Sequence, residues 1–265
     1  MYSIVNKLIT KIFILFFKLI SKQKRTHFLG SNYGGWYFLK PTNDAALNVV
    51  SAGVGEDISF DIEFINSYKS KIVLIDPTPR AISHFEKVLN NLGNKKTVDY
   101  DNNSGNQLIE SYDLSNLKKE NLVLIKKALF DKSNQIVKFY LPKNHDHVSH
   151  SISNFQNNFS KETDYIEVQT ITVDKVMELV EFKKIDLFKL DIEGAENNVI
   201  PDMLNKKIFP DQILVEFDEL RTNKIKPYVY AFLIFLRLIY NNYEVVATNN
   251  FPNFLFVKKR KKNLW

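Results

Sequence analysis

The sequence predicts an α/β domain: a mostly parallel, seven-stranded sheet covered by helices and closed by a C-terminal antiparallel hairpin. Three observations carry that prediction. A short apolar run, Val49–Ala52, reaches the turn Gly53-Val54-Gly55 and then a helix-like segment. A second apolar run, Ile72–Asp76, ends on an acid 21 residues after Gly55. That is the spacing of a first β-α-β unit in a nucleotide-binding domain. Further on, strand-like and helix-like patterns alternate, which implies parallel pairing.

Taken in order, Asp57–Ser67 reads as the crossover helix and Ile72–Asp76 as the second strand. Pro77, Thr78 and Pro79 make a stiff loop. Ala81–Leu92 has a helical apolar side (Ile82, Phe85, Val88, Leu89), and Gly93 is its stop signal. Leu122–Ala128 reads as the third strand. Gln135–Leu141 and Ile166–Thr172 alternate like strands that extend the sheet or form a flap. Asp174–Val180 is a short helix, Ile185–Leu190 a strand ending at Asp191, and Gln212–Phe217 a strand ending near Glu216. Pro227–Tyr240 is a strongly apolar helix interrupted by Arg237. Tyr243–Thr248 and Phe254–Val257 form the closing hairpin around N-N-F-P-N. Loops are expected at Asp99–Gln107 and from about Pro142 to Asp164. A ligand belongs at the carboxyl ends of such strands, where Gly53, Asp76, Ala128, Asp191 and Glu216 fall.

The chain has 265 residues, enough for one sizeable core. It contains no cysteine, which excludes disulfides, thiolate metal sites and thiol nucleophiles and is compatible with a reducing cytoplasm. The net charge of +6 is unevenly placed. Lys7, Lys11, Lys18, Lys22, Lys24 and Arg25 crowd the start, and Lys258, Lys259, Arg260, Lys261 and Lys262 the end. Without those cations the body holds 25 basic and 30 acidic residues, so the basic balance does not describe a nucleic-acid surface. The expected organisation is an N-terminal amphipathic helix (1–25), the main domain (26–257) and a basic tail (258–265).

Within the first 22 residues, Ser3, Lys7, Lys11, Lys18 and Lys22 fall near one helical face. The longest apolar run there, Ile12–Phe17, is far short of the ~20 residues needed to cross a bilayer. No small-residue cleavage site follows. Two readings stand: a helix lying on an anionic membrane surface, with the basic tail as a second contact, or a helix packed on the domain or on a partner. The first places the protein at the inner face of a membrane.

The glycine turn discriminates between cofactors. A dinucleotide fingerprint needs a third glycine where Ile58 stands. Glu56 and Asp57, at the helix start, would repel a pyrophosphate although they suit the helix dipole. They favour a cationic ligand such as S-adenosylmethionine over NAD. An NAD-dependent oxidoreductase remains the alternative, and a silent membrane or complex scaffold a third reading.

Phe188–Glu196 reads F-K-L-D-I-E-G-A-E. Together with S-A-G-V-G-E-D-I-S-F-D, I-D-P-T-P, Q-T-I-T-V-D and I-L-V-E-F, it resembles the FkbM family of S-adenosylmethionine-dependent methyltransferases, from roughly Tyr33 to Phe217. The resemblance implies a Rossmann-like class I methyltransferase fold and methyl transfer to a hydroxyl of a sugar or natural product. It implies that Gly53, Val54 and Gly55 line the methionine part of the cofactor and that Glu56 or Asp57 binds its amino group. Asp76 would hold the ribose, Pro77 and Thr78 the wall beside it, and Ala128 the adenine. Asp191 would stand where transfer occurs. Many methyltransferases carry an acid at the position of Ser51, so this chain departs there from the common pattern.

Transfer to oxygen needs a base for the hydroxyl proton. Asp191, Glu193 and Glu216 are candidates, as are His145, His147 and His150 in the loop H-D-H-V-S-H. The histidines also read as a solvated loop. A divalent ion on Asp191, Glu193 or a histidine is conceivable, but no metal site is assigned. Glu193 and Glu196 also read as caps of a following helix. Tyr33-Gly34-Gly35-Trp36-Tyr37 reads as a surface for a sugar or cofactor, or as a lid on the core. The 142–164 loop, with Ser149, Ser151 and Asn154, is the expected acceptor cover.

Overall fold

The computed structural model describes residues 2–42, 45–142, 150–152, 163–221, 224–248 and 251–259. The chain begins with helix α1 (Tyr2–Ile20) and a hairpin of β1 (His27–Leu29) and β2 (Trp36–Phe38). Then come β3 (Leu47–Ala52), α2 (Ser59–Ser67), β4 (Ser70–Ile75), α3 (Pro79–Asn90) and β5 (Leu122–Ile125). Three more strands follow: β6 (Ala128–Leu129), β7 (Ile136–Tyr140) and β8 (Tyr165–Ile171). The chain continues with α4 (Val173–Leu179), β9 (Leu187–Leu190), α5 (Glu196–Asn205) and β10 (Gln212–Glu216). It closes with α6 (Ile225–Tyr240), β11 (Tyr243–Val246) and β12 (Asn253–Lys258).

Seven strands form the main sheet in the order β11-β12-β10-β9-β3-β4-β5. Pairing is parallel from β10 to β5, with β3 central between β9 and β4. β12 runs antiparallel to both β10 and β11. The parallel strands are covered on both faces, which is why L-N-V-V-S-A and S-K-I-V-L-I read as almost unbroken apolar runs. Alternate residues feed two cores. Val50, Ala52, Val73 and Ile75 join α1, α4, α5 and α6 on one side. Val49, Ile72 and Leu74 join α2, α3 and the β2 residues Trp36 and Phe38 on the other.

The structure differs from the sequence expectations at several edges. The third strand stops at Ile125, where the Lys127 amide turns back onto the Ile125 carbonyl at 2.9 Å. Ala128 instead opens the separate three-stranded sheet β6-β8-β7, pairing with Thr170. That sheet is the flap alternative of the sequence reading. Pro79 begins α3 instead of ending a loop, because proline is tolerated in a helix's first turn and Thr78 caps it. Lys258 belongs to β12: its ammonium donates to the Asn241 carbonyl at 2.6 Å and packs over the rings of Phe209 and Tyr243. The β1-β2 hairpin was not expected as strand.

α1 packs on the domain. Phe13 is buried against Tyr228 and Phe235, and Phe17 touches Phe235 and Phe254. Lys22 then bridges to β11, its amide donating to the Val245 carbonyl and its carbonyl accepting from the Ala247 amide.

Candidate active site

The carboxyl ends of the parallel strands open onto a cavity of about 710 Å³. Its size falls in the range of small-molecule pockets. Gly53, Val54, Gly55, Glu56, Asp57, Asp76, Pro77 and Ala128 all line it, and so do Asp191, Glu193 and His150. The turn after β3, the turn after β4, the flap and the K-L-D-I-E-G-A-E segment therefore face one space.

The turn after β3 needs its first glycine for two reasons. Gly53 has φ +73°, and a Cβ there would lie 1.5 Å from the Asp191 carbonyl oxygen. The backbone of β3 thus passes against the end of β9, which brings the glycine turn and the acidic segment together. Asp76 holds this turn in shape. Its Oδ2 accepts from the amides of Val54 (3.1 Å) and Gly55 (3.0 Å), and its Oδ1 from the amide (2.8 Å) and hydroxyl (2.7 Å) of Thr78. Those four donors match the four lone-pair sites of a carboxylate.

Glu56 and Asp57 have different partners. Asp57 is buried and accepts from the Ser31 hydroxyl (2.6 Å), the Ser59 amide (2.9 Å) and the Gln107 side chain (3.0 Å). It pins the β1-β2 hairpin and the 101–107 loop to the start of α2. Glu56 pairs with Arg80 of α3 at 2.5 Å and faces the cavity beside the glycine turn. Ile58, at the third glycine position of a dinucleotide fingerprint, is fully buried in the core.

Beside the turn stands an acidic patch. Asp191, Glu193, Glu216 and Asp218 all line the cavity. Burial raises Asp191 well above the usual carboxylate range, and the charges of Glu216 and Glu193 add to the effect. Burial raises Asp218 in the same way, reinforced by Glu193, Glu216 and Asp191. Arg221 steadies one side, 2.6 Å from Glu216 and 3.4 Å from Asp218. Tyr33 reaches the same patch, and burial followed by the carboxylate charges pushes its hydroxyl pKa up. Asp191, Glu193 and Asp218 each offer a carboxylate oxygen within 4.8 Å of the others, an all-oxygen set of the kind that suits a hard divalent cation.

Glu193 occupies the left-handed region at φ +55°, an uncommon place for a side chain that cannot be glycine's substitute without strain. Two contacts hold it. The Ser151 hydroxyl donates to its carbonyl at 2.7 Å, and Glu196 receives the amides of Ile192 (2.7 Å) and Gly194 (2.8 Å) on either side. Glu196 therefore braces the turn, and burial lifts its pKa to about 8 against the pull of those amides. His150 stacks on Phe139 of the flap at the cavity wall. His145, His147, Ser149 and Asn154 lie outside the described residues.

Sequence reasoning did not single out Asp218 or Arg221. The available signal was the acid two places beyond Glu216, in E-F-D, directly after a strand end. Lys189 is the lysine of the F-K-L-D-I-E-G-A-E motif. It is buried on β9, lines the cavity and lies over the Trp36 ring at 5.7 Å. Below it sits Asp61 of α2, raised by burial and drawn back by the charge of Lys189 and the hydroxyl of Ser51.

A family model described as the methyltransferase FkbM domain matches residues 41–245. No curated protein and no solved structure matches the chain.

Proposed function

The chain belongs to the FkbM methyltransferase domain family, and from that premise we propose an S-adenosylmethionine-dependent O-methyltransferase acting on a sugar or natural-product hydroxyl. One observation carries the reading. The glycine turn, the acid that shapes it and the acidic patch at the ends of β9 and β10 line a single cavity.

The residues present fit the cofactor's charge. Its sulfonium and amino groups are cationic, and acids outnumber cations in the lining: Glu56, Asp191, Glu193, Glu216 and Asp218 stand against Lys189 and Arg221. The Gly53–Gly55 backbone allows close approach of the methionine part. Asp57 is committed to Ser31, Ser59 and Gln107, whereas Glu56 faces the cavity while paired with Arg80, so Glu56 is the acid assigned to the amino group, which would share it with that guanidinium. Asp76 acts on the ribose by holding the turn, and a ribose hydroxyl reaching its oxygens displaces the Thr78 hydroxyl. The flap residue Ala128 and Pro77 border the adenine.

When bound, the cofactor supplies a methyl group on a positively charged sulfur. The protein aligns an acceptor oxygen with that methyl and keeps water out. As the C–O bond forms and the C–S bond breaks, the hydroxyl proton passes to a carboxylate. Asp191 is the best placed, because it lines the cavity at the end of β9 and burial beside like charges raises its affinity for a proton above that of an ordinary carboxylate. Arg221 keeps Glu216 and Asp218 in position. Tyr33, exposed beside these carboxylates, offers a ring face and a polar edge suited to a sugar.

Calorimetry with S-adenosylmethionine, its demethylated product and NAD tests the reading. The first two are expected to bind and NAD is not. Asp76→Ala, which unpins the glycine turn, is expected to weaken the cofactor at least ~10-fold, or about 1.4 kcal/mol. A wild-type protein that ignores S-adenosylmethionine but binds NAD would be an oxidoreductase instead.

A further inference from the structure

We propose that the shared outer face of α1 and α6 is a docking surface for an anionic lipid bilayer. The inward rows of the two helices satisfy the core: Phe13 on α1 meets Tyr228 and Phe235 on α6. The helices then close side by side, with Phe16 and Phe232 in edge contact at 5.2 Å. Outside that seam both helices continue apolar. α1 exposes Ile12, Leu15 and Leu19, the last of them 76% exposed. α6 exposes Val229, Leu233, Leu236 and Tyr240, and Tyr240 is 88% exposed. At 100° per residue these side chains form two rows that flank the Phe16–Phe232 seam, one on each helix.

Cations border the apolar strip on both outer sides. Lys11 and Lys18 follow the α1 row, and Lys226 and Arg237 follow the α6 row; all four are exposed. Neither helix contains an acid. An apolar strip between two cationic margins matches acyl chains below and anionic headgroups above. It does not match a second copy of itself, since a two-fold contact would bring cationic margins together. Among the described residues no helix is long and apolar enough to cross a membrane, so the contact is peripheral. The start of α6 is also tied to the cavity rim. Arg221 lines the cavity, α6 begins four residues later, and the Tyr228 hydroxyl ties that start to the Leu220 carbonyl at 2.7 Å. Docking therefore holds the cavity rim near the lipid. The proposal does not depend on the reaction assigned above.

Co-sedimentation of the full chain with phosphatidylcholine vesicles, and with vesicles containing about a third phosphatidylglycerol, tests this. The wild type is expected to prefer the anionic vesicles and to lose that preference in high salt. Leu19→Ser with Leu233→Ser, and separately Lys18→Glu with Arg237→Glu, are each expected to weaken binding at least ~10-fold. All four side chains are exposed, so the circular dichroism spectrum and cofactor affinity should be unchanged. The proposal is overturned if neither vesicle binds, if both bind equally, or if the variants bind like the wild type. It is also overturned if light scattering finds a dimer that these variants dissociate, because the face would then belong to a second copy.

Discussion

Asp191 shows how one residue can serve both the backbone and the chemistry. Its carbonyl oxygen fills the space that a Cβ on Gly53 would need, and its carboxylate lies in the acidic patch. The patch shares protons, so its titration belongs to the group and not to one member. A base must be deprotonated to act. Because the folded values are raised, the rate should fall on acidification at a pH above the ordinary carboxylate range of about 4. Asp191→Asn is expected to lower kcat ~100-fold or more with little change in the acceptor KM. A full pH–rate profile on both proteins checks this, and an unaltered kcat would remove Asp191 from the proton transfer. Neighbouring residues separate into two kinds. Asp57, Asp76 and Glu196 face or border the site but spend their oxygens on holding it together.

At the scale of elements, α3 is fastened by a buried histidine. His84 lies 2.9 Å from the Tyr112 hydroxyl, which also accepts from the Ile58 amide ahead of α2. Burial lowers the His84 pKa from 6.5 to about 4, although Glu56 and Asp57 pull the other way. The folded imidazole is therefore neutral. As pH falls, the unfolded chain takes up the proton first. Stability present above pH 6.5 is thus lost between about 6.5 and 4, on the order of 3 kcal/mol from this residue. Urea unfolding at pH 7.5 and pH 4.5 should show a smaller difference for His84→Gln than for the wild type. Equal differences would mean that His84 is already charged in the fold.

Across the whole molecule, α1 is part of the core and not an appendage. Removing residues 1–22 uncovers Tyr228, Phe235 and Phe254 and removes the Lys22 bridge to β11. Losing Phe13 alone should cost about 3 kcal/mol. The truncated chain is therefore expected to melt at least ~6 °C lower. A thermal scan checks it, and an unchanged midpoint would show that α1 contributes nothing to the core. Point substitutions on the exposed strip separate membrane contact from stability, which truncation cannot do.

Much of this architecture was legible in the chain. The apolar runs ending at Ala52, Ile75 and Leu190 foretold parallel strands because a sheet buried on both faces needs unbroken apolar side chains. Gly53, Asp76 and F-K-L-D-I-E-G-A-E foretold where the cavity would lie, since strand ends and glycine turns are local features. The sequence by itself thus determined the order of the main-sheet elements, the family and the end of the sheet that opens onto the cavity. Only the tertiary structure decided which partner each cavity acid takes. Asp57 and Glu56 are neighbours with equal claims in the sequence, yet Ser31 and Gln107 arrive from distant segments to claim one of them. Asp218 and Arg221 joined Asp191 only when β10 paired beside β9. Hydrogen-bond partners and shared charge are set by proximity in space, which no local pattern encodes.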